Sequence, residues 1–388
     1  MKPGRIVLDA RCVRRTPGGV VAYTEALIAY LPALLPDAAI ILLRHQDAPY
    51  PLSRASNVAH WNLNGDPNGV WNYFRLGHWL RARLEPDDIF HAPYRILPRN
   101  IQTKTIITIH DVMQVVCPEL VFPNRFIRAF VAPYWSLAIR SSLRRADRVL
   151  AVSQHSANDT LRVDASCASR LRVTLNGKSP SFRQIERETA ERATSSIVPI
   201  GQRFFLVVGG GYPNKNHVAA VSAFAKAFRD SENIWLLVVE RRRPFPPELR
   251  RLVRRLQIDD RIQIRSSVEA EELIALYNRA EALVFPSLYE GFGLPVLEAM
   301  ACGCPVLCSN VTSLPEVTGD AALYFKPEDK DGIANAMRQV LEDRNLRITL
   351  SERGVRRAAL FNWRKMAVET IQAYREIAPW IPAPRLTP

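Results

Sequence analysis

EALVFPSLYEGFGLPVLEAMACGCPVLC, Glu281–Cys308, reads as strand, loop, helix and strand. Ala282 to Phe285 is a short unbroken apolar run, the pattern of a parallel strand buried on both faces. Ser287 to Gly293 is a loop punctuated by glycine. Leu294 and Pro295 open a helix that runs to about Ala301, with the proline in a first turn where its missing N–H costs nothing. Gly303 ends the helix, and Pro305 to Cys308 starts the next strand.

The loop has a definite chemical character. Gly291 and Gly293 let the backbone approach a ligand closely. The helix start behind them offers unpaired N–H groups and a partial positive charge, which suit a phosphate. Glu290 precedes the helix and Glu298 lies about one turn inside it. Carboxylates beside an anion site are suited to accept hydrogen bonds from sugar hydroxyls. Taken singly, each glutamate also fits a solvated loop or a charge favoured by the helix dipole.

Glu290, seven residues and Glu298, set within EGFGLPVLEAMACGCPV, resemble the signature of family 4 of the retaining glycosyltransferases. The resemblance extends from about Arg261 to Tyr374. It implies an α/β chain of the GT-B fold: two Rossmann-like, doubly wound parallel-sheet domains facing a cleft, with a C-terminal helix crossing back to the first. It also implies a nucleotide-sugar donor, Phe292 and Leu294 beside Gly293 at that donor, and chemistry that requires no metal.

Chain length and patterning agree with two domains. At 388 residues the chain exceeds one ordinary domain, and 47% hydrophobic content supports real cores. Apolar strand patterns recur at Arg5–Ala10, Ala38–Leu43, Asp88–Ala92, Thr105–His110, Arg148–Ser153 and Arg170–Asn176. A second set follows at Phe204–Gly209, Ile234–Val239, Arg261–Arg265, Ala282–Phe285, Pro305–Cys308 and Ala322–Phe325. Alternation with helical stretches predicts parallel sheets whose ligands lie beyond the strand carboxyl ends. The expected division is a first domain over 1–180, a polar linker over 181–202, a second domain over 203–360 and a returning segment over 361–388. Asn362 to Ile377 is its amphipathic helix, and the tail after Ala378 is expected to be irregular.

Further site residues sit at strand ends. Gly18 and Gly19 follow the first strand and predict a flexible turn before a helix around Tyr23 to Leu34. In the resembled family this loop lies over the donor phosphates and the acceptor; an ordinary tight turn fits the residues as well. No GxGxxG follows, which disfavours a dinucleotide site. His110 and Asp111 end the strand TIITIH, and TIHD resembles the family's donor-sugar histidine. The resemblance therefore carries that role to His110 and places Asp111 near the acceptor. In VVGGGYPNKNHVAAV, Lys215 and Asn216 precede a helix beside Gly209 to Gly211, well placed to meet a diphosphate. The resemblance puts the family's phosphate lysine on Lys215.

The chain departs from the family pattern in four places. Asn214 stands where arginine is frequent, Lys178 where an apolar residue is usual, and Glu240 with Arg241 to Arg243 where glycine is common. Arg265 to Ser267 replaces a glycine-containing turn near the nucleotide base.

The net charge is +14 with a pI near 9.8. No nucleic-acid motif accompanies it, so an anionic membrane and a charged donor are the expected partners. RFIRAFVAPYWSLAIRSSLRRADR, residues 125–148, interleaves arginines with aromatic and aliphatic residues, with Arg140, Arg144 and Arg148 every four residues. It reads either as an interfacial helix attracted to anionic lipid or as a packed surface helix with a solvated basic rim. Pro133 is expected to kink or divide it. Arg241 to Arg255 is a second basic stretch, read as mostly a solvated face.

The six cysteines are scattered and read as reduced thiols; Cys302, Cys304 and Cys308 read as small buried residues. No apolar run of about 18 residues and no signal-peptide pattern occur, which points to a cytoplasmic protein, peripheral at the inner face of the membrane. The expected activity is transfer of a hexose, mannose from GDP-mannose by family habit, to a glycan or polyprenyl-diphosphate-linked acceptor of a surface polysaccharide. Glucose or rhamnose carried on UDP or dTDP, and a catalytically idle scaffold of the same fold, are the alternatives.

Overall fold

Every strand ladder described in the computed structural model is parallel. The structure describes residues 4–14, 18–229, 231–240, 247–266 and 268–386. These residues form two units, one comprising 4–177 with 362–386 and the other 178–361.

The first unit is built on β1 (Arg5–Asp9), β2 (Ala39–Arg44), β3 (Val58–Asn62), β4 (Ile89–Ala92), β5 (Lys104–Ile109), β6 (Arg148–Ala151) and β7 (Leu171–Val173), in the order β3-β2-β1-β4-β5-β6-β7. Six strands were expected, and the seventh is β3. VAHWN occupies the sheet edge with no residue fully buried, so it lacks the apolar run that marks the inner strands. Alternate side chains divide the faces. Val7, Phe90, Ile107 and Ile109 pack against Leu76 and Leu80 of the helix Val70–Arg81 and against Ile139 and Leu143 of the helix Arg125–Arg145. The latter helix runs unbroken through Pro133. Between β4 and β5 the chain crosses as an irregular segment that presses on Gly77. A Cβ there would lie 1.6 Å from the Arg99 carbonyl oxygen, so only glycine fits.

Helices Gly19–Leu34 and Trp363–Arg375 pack on each other. The last helix belongs to the first unit. A buried polar chain ties it down. Tyr374 Oη lies 2.7 Å from His91 Nδ1, His91 Nε2 lies 2.8 Å from Thr108 Oγ1, and Thr108 Oγ1 lies 3.0 Å from Tyr23 Oη. Burial, reinforced by neighbouring His110, lowers the His91 pKa to about 3, so the imidazole is neutral. The tail beyond is irregular but anchored, with Trp380 Nε1 donating to the Asp87 carbonyl and Arg385 pairing with Asp37.

The second unit carries β8 (Arg203–Gly209), β9 (Ile234–Glu240), β10 (Ile262–Arg265), β11 (Ala282–Phe285), β12 (Val306–Ser309) and β13 (Ala322–Phe325), in the order β10-β9-β8-β11-β12-β13. One face packs on Ala220, Phe224 and Phe228 and on Ile333, Met337 and Val340. Residues 181–202, expected as a linker, lie within this unit. Arg187–Ala193 is a helix packed on Ala270–Arg279; Asn278 Oδ1 accepts from the Ile185 N–H at 2.9 Å, and Arg279 donates to Thr194 and to the Val198 carbonyl. A polar composition disguises a segment held by side-chain-to-backbone bonds. Arg241–Arg243 and Ser267, both among the departures from the family pattern, lie outside the described residues, as does the start of the Arg241–Arg255 stretch.

Tyr374→Phe should lower the stability of the first unit by about 1–3 kcal/mol, because it leaves a buried imidazole nitrogen unpaired. Urea unfolding of the whole chain measures this, and an unchanged midpoint would refute the role given to the His91 chain.

Candidate active site

In a parallel sheet the loops that leave neighbouring strands in opposite directions open a crevice at the carboxyl edge. In the second unit that switch lies between β8 and β11. The Gly209–Lys215 turn follows β8, and the Ser287–Gly293 loop follows β11. The two loops meet through an ion pair, Lys215 Nζ to Glu290 Oε1 at 2.6 Å, with the ammonium 5.2 Å from the centre of the Phe285 ring. Both side chains are largely buried yet reach solvent, at 18% and 11% exposure.

The surrounding backbone is held from several sides. Asn214 Nδ2 donates to the Tyr289 carbonyl at 3.0 Å, and the Asn214 carbonyl accepts from the Leu288 N–H at 2.7 Å. The residue that replaces a charge frequent in the family thus splices the two loops. Asn216 adopts a left-handed conformation, φ 53°, and starts the helix His217–Phe228. His217 Nε2 lies 3.0 Å from the Gly210 carbonyl, and burial lowers its pKa to about 4. Glu290 is gripped through its backbone: its N–H donates to Thr312 Oγ1 at 3.1 Å, and its carbonyl accepts from Ser313 Oγ at 3.0 Å. Thr312 sits at φ 56°, a conformation that costs a β-branched residue about 1–3 kcal/mol. None of these four residues, Asn214, His217, Thr312 and Ser313, had been given a part in the site. A β-branched residue in a left-handed turn carries no signature in the linear chain.

The helix Leu294–Ala301 begins where the proline predicts. Gly293 is at φ 97°, and a Cβ there would meet Leu314 Cδ2 at 2.7 Å, so the loop requires glycine for both dihedral and space. Phe292, carried over as a donor residue, turns its ring into the unit against Phe361, leaving its backbone for any ligand. Leu294 is partly exposed at the helix start. Glu298 is buried and accepts from Tyr277 Oη at 3.2 Å. The structure therefore brings Lys215, Asn216, Glu290, Phe292, Gly293, Leu294 and Glu298 into one unit. Cys302, Cys304 and Cys308 are buried with their thiols pushed up by desolvation, which makes them inert.

Gly18, Gly19, His110 and Asp111 belong to the other unit. Neither glycine forms the turn expected of them: Gly19 already starts the helix, and Gly18 is fully extended at φ 177°. His110 directly follows β5, with the edge of Tyr23 5.0 Å away and the Pro93 carbonyl bonded to its ring. Its Nε2 is buried with no partner among the described residues. Burial and then Arg95 lower its pKa to about 4. Asp111 pairs with Arg95 at 3.2 Å and accepts from the Met113 N–H. A buried cluster at the end of β1 was not anticipated: Arg11 forks onto Asp9 at 2.8 and 2.6 Å and also donates to Asn72. Among the described residues no three His, Cys, Asp or Glu side chains are grouped to hold a metal ion.

His91, His110 and His217 titrate near 3–4 when folded and near their ordinary 6.5 when unfolded. The unfolded chain then binds more protons below pH 6.5, and stability is lost as pH falls. Each should contribute a loss of about 1 kcal/mol between pH 7 and 5.5. Thermal unfolding across that range tests this; a flat profile would overturn the neutral assignment.

Two family models cover most of the chain: glycosyl transferases group 1 over residues 191–357, and glycosyltransferase family 4 over residues 17–181. O-antigen chain mannosyltransferase B of Escherichia coli is 34% identical over 78% of this chain and 79% of its own. Serotype-specific mannosyltransferase WbdA of Escherichia coli is 28% identical over 72% of this chain, which spans about a third of that longer protein (34%). Sucrose-phosphate synthase from Thermosynechococcus elongatus superposes with a TM-score of 0.76 at 22% identity, over 97% of this chain and 99% of its own, a likeness of fold. With two parallel-sheet units, paired glutamate and lysine loops at a switch point and these relatives, the chain belongs to the family 4 glycosyltransferases of the GT-B fold.

Proposed function

We propose that this protein transfers mannose from GDP-mannose to a lipid-linked, growing surface glycan, with retention of anomeric configuration. The observation that carries the reading is the Lys215–Glu290 pair at the β8/β11 switch, beside the glycine-led helix at Leu294. The names of the mannosyltransferase relatives support the sugar.

In this reading the bond from the anomeric carbon to the diphosphate oxygen breaks, and the electron pair leaves with the nucleoside diphosphate. Lys215 and the N–H groups at Gly293 and Leu294 meet that negative charge, with no metal required. Glu290, its backbone held by Thr312 and Ser313, accepts a hydrogen bond from a sugar hydroxyl. Glu298, positioned by Tyr277, accepts one from the ribose. From the first unit the family resemblance assigns His110, a neutral imidazole, to the donor sugar and Asp111, paired with Arg95, to the acceptor. The acceptor hydroxyl forms the new bond on the face the diphosphate leaves, and its proton passes to the departing phosphate oxygen. The protein works at the cytoplasmic face of the membrane, where nucleotide sugars are supplied. No helix among the described residues is long and apolar enough to cross a membrane.

Glu290→Ala should reduce transfer by about a hundredfold or more while the unfolding temperature stays within a few degrees; full turnover would sink the assignment. Calorimetric titration with GDP, UDP and dTDP tests the donor. GDP should bind preferentially, and Lys215→Ala should weaken it about tenfold or more. Preference for UDP or dTDP would replace the mannosyl donor, and binding of none would favour the idle scaffold.

A further inference from the structure

Tyr23 lies in the helix Gly19–Leu34 and is completely buried. Its ring stands edge-on to the His110 imidazole, 5.0 Å between centres and 88° between planes. The same ring meets His91 of β4 and Trp363 of the last helix edge-on, each at 6.5 Å. Tyr23 thus joins the last helix to the residue that follows β5.

The hydroxyl of Tyr23 belongs to a chain of buried hydrogen bonds that can run in one direction only. Thr370 Oγ1 donates to the Met366 carbonyl at 2.9 Å. Its single hydrogen is then used, so in the bond between Thr370 and Tyr23 the tyrosine is the donor. Tyr23 Oη must in turn accept from Thr108 Oγ1. Thr108 has spent its own hydrogen and accepts from His91 Nε2. A neutral His91 protonated at Nε2 carries a lone pair at Nδ1, which accepts from Tyr374 Oη. The opposite order would leave the contact between Tyr23 and Thr370 without a hydrogen. The chain leaves the last helix at Tyr374 and returns to it one turn earlier at Thr370. Tyr23 cannot swing without breaking two buried hydrogen bonds, which fixes its ring.

His110 has fewer holds of its own. Its carbonyl accepts from Ser156 Oγ at 3.0 Å, and its ring is bonded to the Pro93 carbonyl. A carbonyl only accepts, so the ring nitrogen bonded to Pro93 carries the proton. In a neutral imidazole the other nitrogen is an acceptor, suited to the hydrogen of a hydroxyl and unsuited to a phosphate oxygen. One ring bond still permits the imidazole to tilt about it, and the edge of Tyr23 closes off that tilt.

We propose that Tyr23 is a positioning residue for His110. The last helix fixes the Tyr23 ring through Thr370 and through Tyr374, His91 and Thr108, and the ring edge holds the imidazole so that its lone pair meets a sugar hydroxyl. This role rests on the reading of His110 as the donor-sugar residue, and it specifies the group recognised there as a hydroxyl that donates.

Tyr23→Phe keeps the ring and removes its hydroxyl; Thr370→Val removes the acceptor of that hydroxyl from the last helix. With both variants folded at the assay temperature, each should lower kcat for transfer from GDP-mannose by about tenfold. In a His110→Ala background the same substitutions should cost nothing further, because their effect runs through the imidazole. Losses that add to that of His110→Ala, or no loss in the native background, would overturn the proposal. Proton–nitrogen correlation spectra of the imidazoles, with His110 assigned by its disappearance in His110→Ala, read the same property without any transfer. The native protein should show one neutral tautomer for His110, and both variants should show averaged tautomers; an unchanged His110 signal in both would also overturn it. Absence of transfer from GDP-mannose by the native protein would refute the donor reading, and the imidazole spectra would then decide the positioning role by themselves.

Discussion

A parallel strand cannot be joined to its neighbour by a hairpin; the chain must return across the sheet each time. All strand ladders described in this protein obey that constraint. It places the loops that leave the strands along one edge of each sheet. Where the winding reverses, between β1 and β4 and between β8 and β11, adjacent loops part and leave room for a ligand. The Gly209–Lys215 and Ser287–Gly293 loops flank the second switch, and Asp9 and Arg11 end the strand at the first. The carboxyl-edge position of the candidate chemistry follows from topology before any side chain is considered.

Buried polar groups then give those loops a single arrangement. A group removed from water must find its partner in the protein, and few arrangements satisfy all of them together. Asn214 bridges one loop to the other, Thr312 and Ser313 hold the Glu290 backbone, and His217 reaches Gly210. The Glu290 carboxylate is thereby fixed against Lys215 without using its own backbone flexibility. In the first unit the chain from Tyr374 through His91 and Thr108 to Tyr23 performs the same service, fastening the last helix across a sequence separation of 283 residues.

The basic charge divides into two populations once partners are known. Many arginines are structural: Arg140, Arg144, Arg148 and Arg170 terminate on backbone carbonyls or carboxylates of the first unit. Those near the starts of the helices 70–81 and 125–145 face solvent beside exposed aromatic residues. The segment that mixes arginine with aromatic residues is therefore split along its length. Its fully buried residues, Ala138, Ile139, Ser142 and Leu143, all lie toward its end, and its first two turns are mostly exposed.

By itself the sequence determined what is local. A buried parallel strand, a glycine loop and a proline-led helix are encoded within Glu281–Cys308, because each depends on neighbours a few residues away. Twelve of the thirteen strand patterns and the family-bearing glutamates and lysine were legible for the same reason. Tertiary structure alone decided the rest. VAHWN becomes β3 only because Ile40–Arg44 offers it an edge. Residues 181–202 cease to be a linker only because Asn278 and Arg279 bind their backbone. Thr312 enters the site from 22 residues beyond Glu290, and Phe126 and Phe130 of the 125–145 helix stay exposed while Tyr134 and Trp135 of the same helix pack on the core. Periodicity records which residues share a face; burial and long-range hydrogen bonds record what that face meets, and those depend on segments far apart in the chain.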